Sequence, residues 1–324
     1  MMIDAIKAFP QQFLYKPEII GSFNPRSFIH FIAVGMGGSH LAADLVSRLK
    51  PNVSLTVYSD YGLPASVNFL GTKTAVILSS YSGNTEEVLA AAEIVIEKKI
   101  PALAIAVGGT LLDLAKKNHL PYIQLPDTGI QPRSALGFSL LALCRAIGED
   151  EFIADSAVLA HNLSVAQFER LGKMLATRLS GRVPIIYASR RNQSIAYNWK
   201  IKLNETGKIP AFYNVLPELN HNEMNGFDVV EKTRMLSQNF YFIFLRDTGD
   251  HLHVQKRFDV LKKLYGDRGL LVEEIPLSDG VSEAEKIFSS LILADWTSVY
   301  SAEHYGLESE QVPLVEEFKR LITS

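Results

Sequence analysis

The stretch Leu78-Ser79-Ser80-Tyr81-Ser82-Gly83-Asn84-Thr85-Glu86-Glu87 gathers small hydroxyl side chains between an apolar run and a helical pattern. Ser80, Ser82 and Thr85 are hydroxyl donors. The first amides of a following helix add N–H groups and a partial positive charge. Together they suit a phosphate. An ordinary helix cap by Ser82 or Asn84 needs one such side chain, so three point beyond capping. Gly83 lets the backbone turn close to a ligand. A second turn, Gly35-Met36-Gly37-Gly38-Ser39, follows an earlier apolar run. With Asp60 near the end of the next run it invites a dinucleotide reading, but the third fingerprint position is His40 rather than Gly or Ala. Gly37, Gly38 and Ser39 can instead close over a sugar beside the hydroxyl loop.

Other residues could do proton chemistry. Arg133 follows Pro132 at a helix start, where a cation is unfavourable unless an anion joins it. His221 lies in the polar cluster Asn220-His221-Asn222-Glu223, with Glu218 close by. Glu205 ends a helical pattern, and by position alone it reads as a solvated helix glutamate. Lys319 sits on a terminal helical pattern. His251 and His253 are two apart, a metal spacing on a strand but not on the helix expected there.

The elements that must position these groups alternate. Apolar runs at 28–34, 53–58, 74–78, 102–107 and 122–125 read as strands. Helical patterns at 40–50, 86–99, 111–117 and 134–147 separate or follow them. After the polar Glu149-Asp150-Glu151, a long connecting helix is expected over 154–179. Strands at 183–188, 240–245 and 270–275 then alternate with helices at 194–204, 251–265, 281–300 and 312–322. Wholly apolar strands between helices mark a parallel sheet covered on both faces. The expectation is an α/β protein with two consecutive domains, 1–152 and 153–324.

Composition agrees. The 324 residues are 47% apolar and 21% charged, with a net charge of -3. That suits two moderate globular cores and no bulk nucleic-acid binder. Cys144, the single cysteine, lies in an apolar run and reads as a buried thiol. No run reaches about 18 apolar residues, so no membrane span is expected and cytoplasm is the default.

The two turns together resemble the sugar isomerase (SIS) domain family. Pro132-Arg133-Ser134-Ala135-Leu136-Gly137, Leu203-Asn204-Glu205 and Pro217-Glu218-Leu219-Asn220-His221-Asn222-Glu223 are similar to motifs of the bifunctional phosphoglucose/phosphomannose isomerases. The resemblance spans nearly the whole chain. It implies two SIS-type domains, each a mainly parallel sheet flanked by helices, with the phosphate held in the first and the catalytic base and ring-opening groups in the second. It also implies a homodimer, an active site between domains, and neither metal nor cofactor. The implied reaction interconverts glucose 6-phosphate and fructose 6-phosphate through an enediol. Ser80, Ser82 and Thr85 would hold the phosphate, with Gly38 and Ser39 nearby. Glu205 would be the base, Glu218 and Glu223 being competitors. Arg133 would stabilise the intermediate. His221, reaching the neighbouring subunit's site, and Lys319 would assist ring opening. One departure concerns mannose 6-phosphate. The family tends to carry a threonine before the terminal lysine, whereas Glu308 to Pro313 has none, and Gln311 looks more like a glucose-specific enzyme. The remaining alternatives are a non-catalytic sugar-phosphate binder, an amino-sugar phosphate isomerase and a dehydrogenase.

Overall fold

Strands that are apolar on both faces must be covered on both faces, and the alternation of helices supplies the cover. The computed structural model describes residues 2–65 and 73–322. The chain divides into two compact units, Ala8–Asn162 and Met1–Lys7 with Leu163–Ser324. The division thus falls ten residues beyond the boundary expected from the polar break, and the first residues, in helix α1 (Met2–Ala8), join the second unit.

The 8–162 unit runs β1 (His30–Gly35), α2 (Gly37–Leu49), β2 (Leu55–Tyr58), β3 (Thr74–Ser79), α3 (Glu86–Glu97), β4 (Ala102–Ala106), α4 (Gly109–Lys117), β5 (Tyr122–Gln124), α5 (Leu136–Ala146), α6 (Asp150–Ser156) and α7 (Leu159–Asn162). Its five strands are parallel in the order β2-β1-β3-β4-β5. All residues of β3 and β4 are buried. Ile32, Val34, Val76 and Leu78 pack there against Val88, Ala91 and Val95 of α3. The strand order reverses between β1 and β3, where a crevice opens at the carboxyl ends. Cys144 is fully buried on α5, and burial pushes its thiol well above the usual range.

The other unit continues with α8 (Val165–Leu179), β6 (Val183–Ser189), α9 (Gln193–Glu205), β7 (Phe212–Leu216), α10 (Arg234–Ser237), β8 (Phe240–Arg246), α11 (Leu252–Asp267), β9 (Leu271–Pro276), α12 (Glu283–His304) and α13 (Pro313–Ile322). Its four strands are parallel in the order β7-β6-β8-β9. One face of this sheet is aromatic: Tyr187, Phe242 and Phe244 cluster with Phe258 and Tyr265 of α11. Helix α12, buried along most of its length, packs on α8 and α9.

Two expectations are corrected. The long helix over 154–179 is three helices, α6, α7 and α8. Leu159 and Ala160 of α7 face the turn Phe9–Leu14, whereas Leu175 and Leu179 of α8 belong to the other unit's core. One straight helix cannot turn its single apolar stripe to two cores. Strand β7 is additional. Its outer half is exposed or half-buried, so it carries no continuous apolar run.

Candidate active site

In the 8–162 unit three segments converge beside the switch point. Ser39, in the first turn of α2, accepts a hydrogen bond at Oγ from the Tyr81 amide at 2.9 Å. Ser80 is fully buried, and its Oγ accepts from the amides of Gly83 at 3.1 Å and Thr85 at 3.4 Å. It also meets Thr85 Oγ1 at 2.8 Å. Ser80 therefore shapes the turn. Ser82 is exposed and its Oγ accepts from the Asn84 amide at 3.2 Å. Thr85 occupies the cap position of α3, yet its side chain makes no capping bond. Asn84 spends its Oδ1 on Thr110, accepting from both the amide and the hydroxyl at 3.0 Å. The hydroxyl loop is thereby braced on the start of α4, and plain side-chain capping of α3 does not account for it.

Two glycines make the convergence geometrically possible. Gly83 has φ 76°, and a Cβ there would lie 1.8 Å from the Gly108 carbonyl oxygen. It gives close approach to the neighbouring loop. Gly38 brings α2 against the Arg133 turn, since a Cβ on it would meet the Pro132 carbonyl carbon at 2.8 Å. Gly38, Ser39, Ser80, Ser82, Thr85 and Arg133 are thus gathered in one unit. Arg133 is 2% exposed and lies in the single turn Pro132–Ser134, just ahead of α5 rather than within it. His40, at the odd position of the dinucleotide pattern, pairs with Asp44 at 3.0 Å, and Asp60 accepts locally from the Tyr61 amide.

A residue not singled out from the sequence holds the Arg133 turn. Gln12 is buried, donates from Nε2 to the Ser134 carbonyl at 2.7 Å, and accepts at Oε1 from the amides of Gly137 at 2.9 Å and Phe138 at 3.3 Å. It caps α5 from 125 and 126 residues away. No local pattern carries such a signal.

In the other unit Glu205 is the last residue of α9 and half-buried. The helix is fixed to α12 by the buried Lys202–Asp295 pair at 2.6 Å and by Trp199 Nε1 donating to Ser290 at 3.0 Å. Lys208 donates to the Glu205 carbonyl at 2.6 Å and also to the Gln311 carbonyl. Asn204 Oδ1 accepts from the Ala211 amide at 2.8 Å, setting the turn into β7. His221 ends the short turn Glu218–His221 and is exposed. Of the competing carboxylates, Glu223 accepts from Tyr187 Oη and Asn214 Nδ2, and Glu218 accepts from Asn222 Nδ2 at 3.0 Å. Lys319 stands on α13, exposed, with Glu316 at 2.9 Å. His251 caps α11 by accepting from the His253 amide at 3.1 Å.

The corresponding switch point of this second sheet, between β6 and β8, differs in chemistry. Ser189, Asn192, Asp247, Asp250 and Lys286 are all buried there. Lys286 donates to Asp247 at 2.8 Å and Asn192 to Asp247 at 2.9 Å, while Ser189 donates to Asp250 at 2.7 Å. Burial would raise the Asp247 carboxyl. The Lys286 ammonium, the Asn192 amide and the Gly249 N–H outweigh it and hold it below the usual carboxylate range. Where the first sheet presents hydroxyls and amides, the second carries an internal ion pair.

Two parallel sheets of this order, each clad in helices, with a hydroxyl loop at the first switch point, define a two-domain SIS protein. Residues 168–322 match the family model of the bacterial phospho-glucose isomerase C-terminal SIS domain. Solved structures share the fold. A hypothetical protein from Thermus thermophilus superposes with TM-score 0.73 at 13% identity, over 99% of this chain and 87% of its own. A glucosamine-6-phosphate deaminase from Thermotoga maritima gives TM-score 0.65 at 15% identity, covering 96% of both chains. Among curated relatives, a bifunctional phosphoglucose/phosphomannose isomerase of Aquifex aeolicus is 32% identical over 97% of this chain and 96% of its own. One from Caldicellulosiruptor bescii is 34% identical over 89% and 88%. The chain belongs to the bifunctional phosphoglucose/phosphomannose isomerase family. Among the described residues no helix is long and apolar enough to cross a membrane.

Proposed function

We propose that this chain interconverts glucose 6-phosphate and fructose 6-phosphate through an enediol. The observation that carries the reading is the first turn of α2, which meets the hydroxyl loop of Ser80, Ser82 and Thr85 through Ser39 and the Arg133 turn through Gly38, in a chain of this family. Ser82 and Thr85, with the amides that open α3, hold the phosphate. Ser39 and Ser80 shape the loop, and Gly38 admits Arg133 beside it. The phosphate then fixes one end of the sugar, so that a single carboxylate can serve both reacting carbons.

Glu205 is that carboxylate. It removes the proton from C2 of the open-chain aldose and returns it to C1, and the enediol oxygens develop negative charge between the two steps. Arg133, always cationic, stabilises that charge. The sugar arrives as a ring, and His221 and Lys319 assist its opening by moving a proton to the ring oxygen and from the anomeric hydroxyl. No redox step is involved, and the reaction needs no cofactor. Mannose 6-phosphate differs only at C2, and Gln311 in place of the family's threonine predicts that it turns over more slowly. The working form is a homodimer in which His221 serves the partner's site. The exposed apolar face of α13, with Leu314 77%, Phe318 60% and Leu321 69% exposed, supports an assembled state.

The test is a coupled assay on fructose 6-phosphate that reads glucose 6-phosphate and mannose 6-phosphate separately, run on wild type and Glu205→Gln. Turnover and C2 proton exchange should both fall by roughly 10²–10⁴-fold in the variant, with KM little changed. Wild-type protein that binds hexose phosphates without isomerising them would make it a sugar-phosphate binder. Loss in Glu218→Gln or Glu223→Gln, with Glu205→Gln normal, would move the base.

A further inference from the structure

His221 is exposed, yet the residues on both sides of it are tied down. On one side Leu219 is buried in the aromatic cluster, and Asn220 Oδ1 accepts from Arg257 of α11 at 3.2 Å. On the other, Glu223 opens the turn Glu223–Phe227, and its two carboxylate oxygens are taken separately. Tyr187 of β6 donates to one and Asn214 of β7 to the other. Met224 and Phe227 then pack on the same cluster as Leu219.

A half-buried carboxylate held by two neutral donors is a costly anchor, because burial removes water without supplying a cation. An apolar side chain would hold a loop to an aromatic core at lower cost. What the carboxylate adds is direction. Two donors on adjacent parallel strands, β6 and β7, fix both the position and the orientation of the group they share. Burial, then the neighbouring Tyr265 and Glu223, push the Tyr187 hydroxyl far above the usual tyrosine range, so it remains a donor at every working pH.

We infer that Glu223 is a positioning residue for His221: clamped by Tyr187 and Asn214, it sets the path of the turn from which the imidazole projects. The inference rests on the proposed part of His221 in ring opening. It assigns Glu223 a task distinct from that of a base, since both of its oxygens are engaged in the fold.

The test compares Glu223→Ala, Glu223→Gln and Tyr187→Phe, alone and combined with His221→Ala. Tyr187→Phe keeps the buried ring and removes only the donor, so it serves even where Glu223→Ala folds poorly. Each single change should lower kcat by roughly 10–100-fold, the scale of a small misplacement, while KM moves little. Glu223→Gln should keep more activity than Glu223→Ala. In the His221→Ala background the same changes should cost nothing more, because they act through the missing imidazole. Losses that simply add to that of His221→Ala would overturn the inference. An independent measurement follows the His221 ring by NMR in side-chain-labelled protein, identified by its absence in His221→Ala. Its resonances should shift and broaden in Glu223→Ala and Tyr187→Phe, and unchanged resonances would overturn the inference. If His221→Ala turns over like wild type, the ring-opening assignment fails, and the resonances alone decide whether Glu223 positions the turn.

Discussion

A methyl group at Gly83 would stand 1.8 Å from the Gly108 carbonyl oxygen, in backbone already at φ 76°. The neighbouring groups are main chain on both sides, so relief requires the hydroxyl loop and the loop before α4 to separate. Gly83→Ala should therefore cost stability of order 1–3 kcal/mol or more. It should also weaken inorganic phosphate binding, because Ser80 Oγ would lose the Gly83 amide that helps set the loop. Thermal unfolding and phosphate titration on the same variant check both. An unchanged melting temperature would mean that the two loops part freely. Ser82→Ala removes a hydroxyl that is exposed and bonded to the Asn84 amide of its own turn, so it should reduce phosphate affinity at nearly constant stability.

Among the elements, α5 starts on a side chain far away in sequence. Gln12 supplies the acceptor for two of its first amides and simultaneously holds the Ser134 carbonyl. Gln12→Ala removes those three hydrogen bonds, about 1–3 kcal/mol for each buried group whose loss water does not make good. It also frees the turn that carries Arg133. Gln12→Glu separates the two effects: a carboxylate still caps α5 but faces the Ser134 carbonyl with an oxygen instead of an N–H. If the turn positions Arg133, both variants should lose kcat, and the glutamate should lose less stability than the alanine. Steady-state kinetics and denaturant unfolding distinguish the outcomes, and a glutamate variant with wild-type kcat would restrict Gln12 to capping.

At the scale of the whole molecule, pH acts through the Asp247–Lys286 pair that joins the end of β8 to α12. The Asp247 carboxyl is held below its usual value, so its contribution is present above about pH 3.9, the unfolded value, and is lost as pH falls through the folded value. For Lys286 burial would lower the ammonium, but Asp247 and Glu283 outweigh it and raise it. Its contribution is full below about pH 10.4 and is lost as pH rises through the folded value. The pair should therefore stabilise evenly across the interval between. Asp247→Ala leaves the buried Lys286 ammonium with Glu283 at 3.4 Å and should cost at most about 3–5 kcal/mol at neutral pH. The difference from wild type should shrink in strong acid. A constant difference down to pH 2 would show that the carboxylate's charge is not what matters. Assembly is tested at the same scale. Mixed Glu205→Gln and His221→Ala subunits, once exchanged, should recover activity that neither variant has alone. Failure to recover despite exchange would place His221 in its own chain's site.

Much of this was legible in the chain itself. Residues 74–78 and 102–107 read as strands because buried parallel strands are apolar with little interruption, and β3 and β4 lie there. The hydroxyl loop was legible because its chemistry is contiguous. Strand β7 was not: it borders the sheet, so half of it faces outward and its composition is mixed. The break between α7 and α8 was hidden because local periodicity records that a stripe is buried, not which core buries it. By position alone Glu205 reads as a solvated helix glutamate, and Glu218 and Glu223 as carboxylates flanking His221. Tertiary structure distinguished their surroundings, pairing Glu223 with donors on two strands and setting Glu205 at the end of a helix bolted to α12. The same holds for Gln12 and for the Asp247–Lys286 pair. Sequence determines which side chains can donate, accept or carry charge. Only folding decides which of them meet, because a hydrogen bond between residues 12 and 134 depends on where the chain returns and not on any pattern near either end.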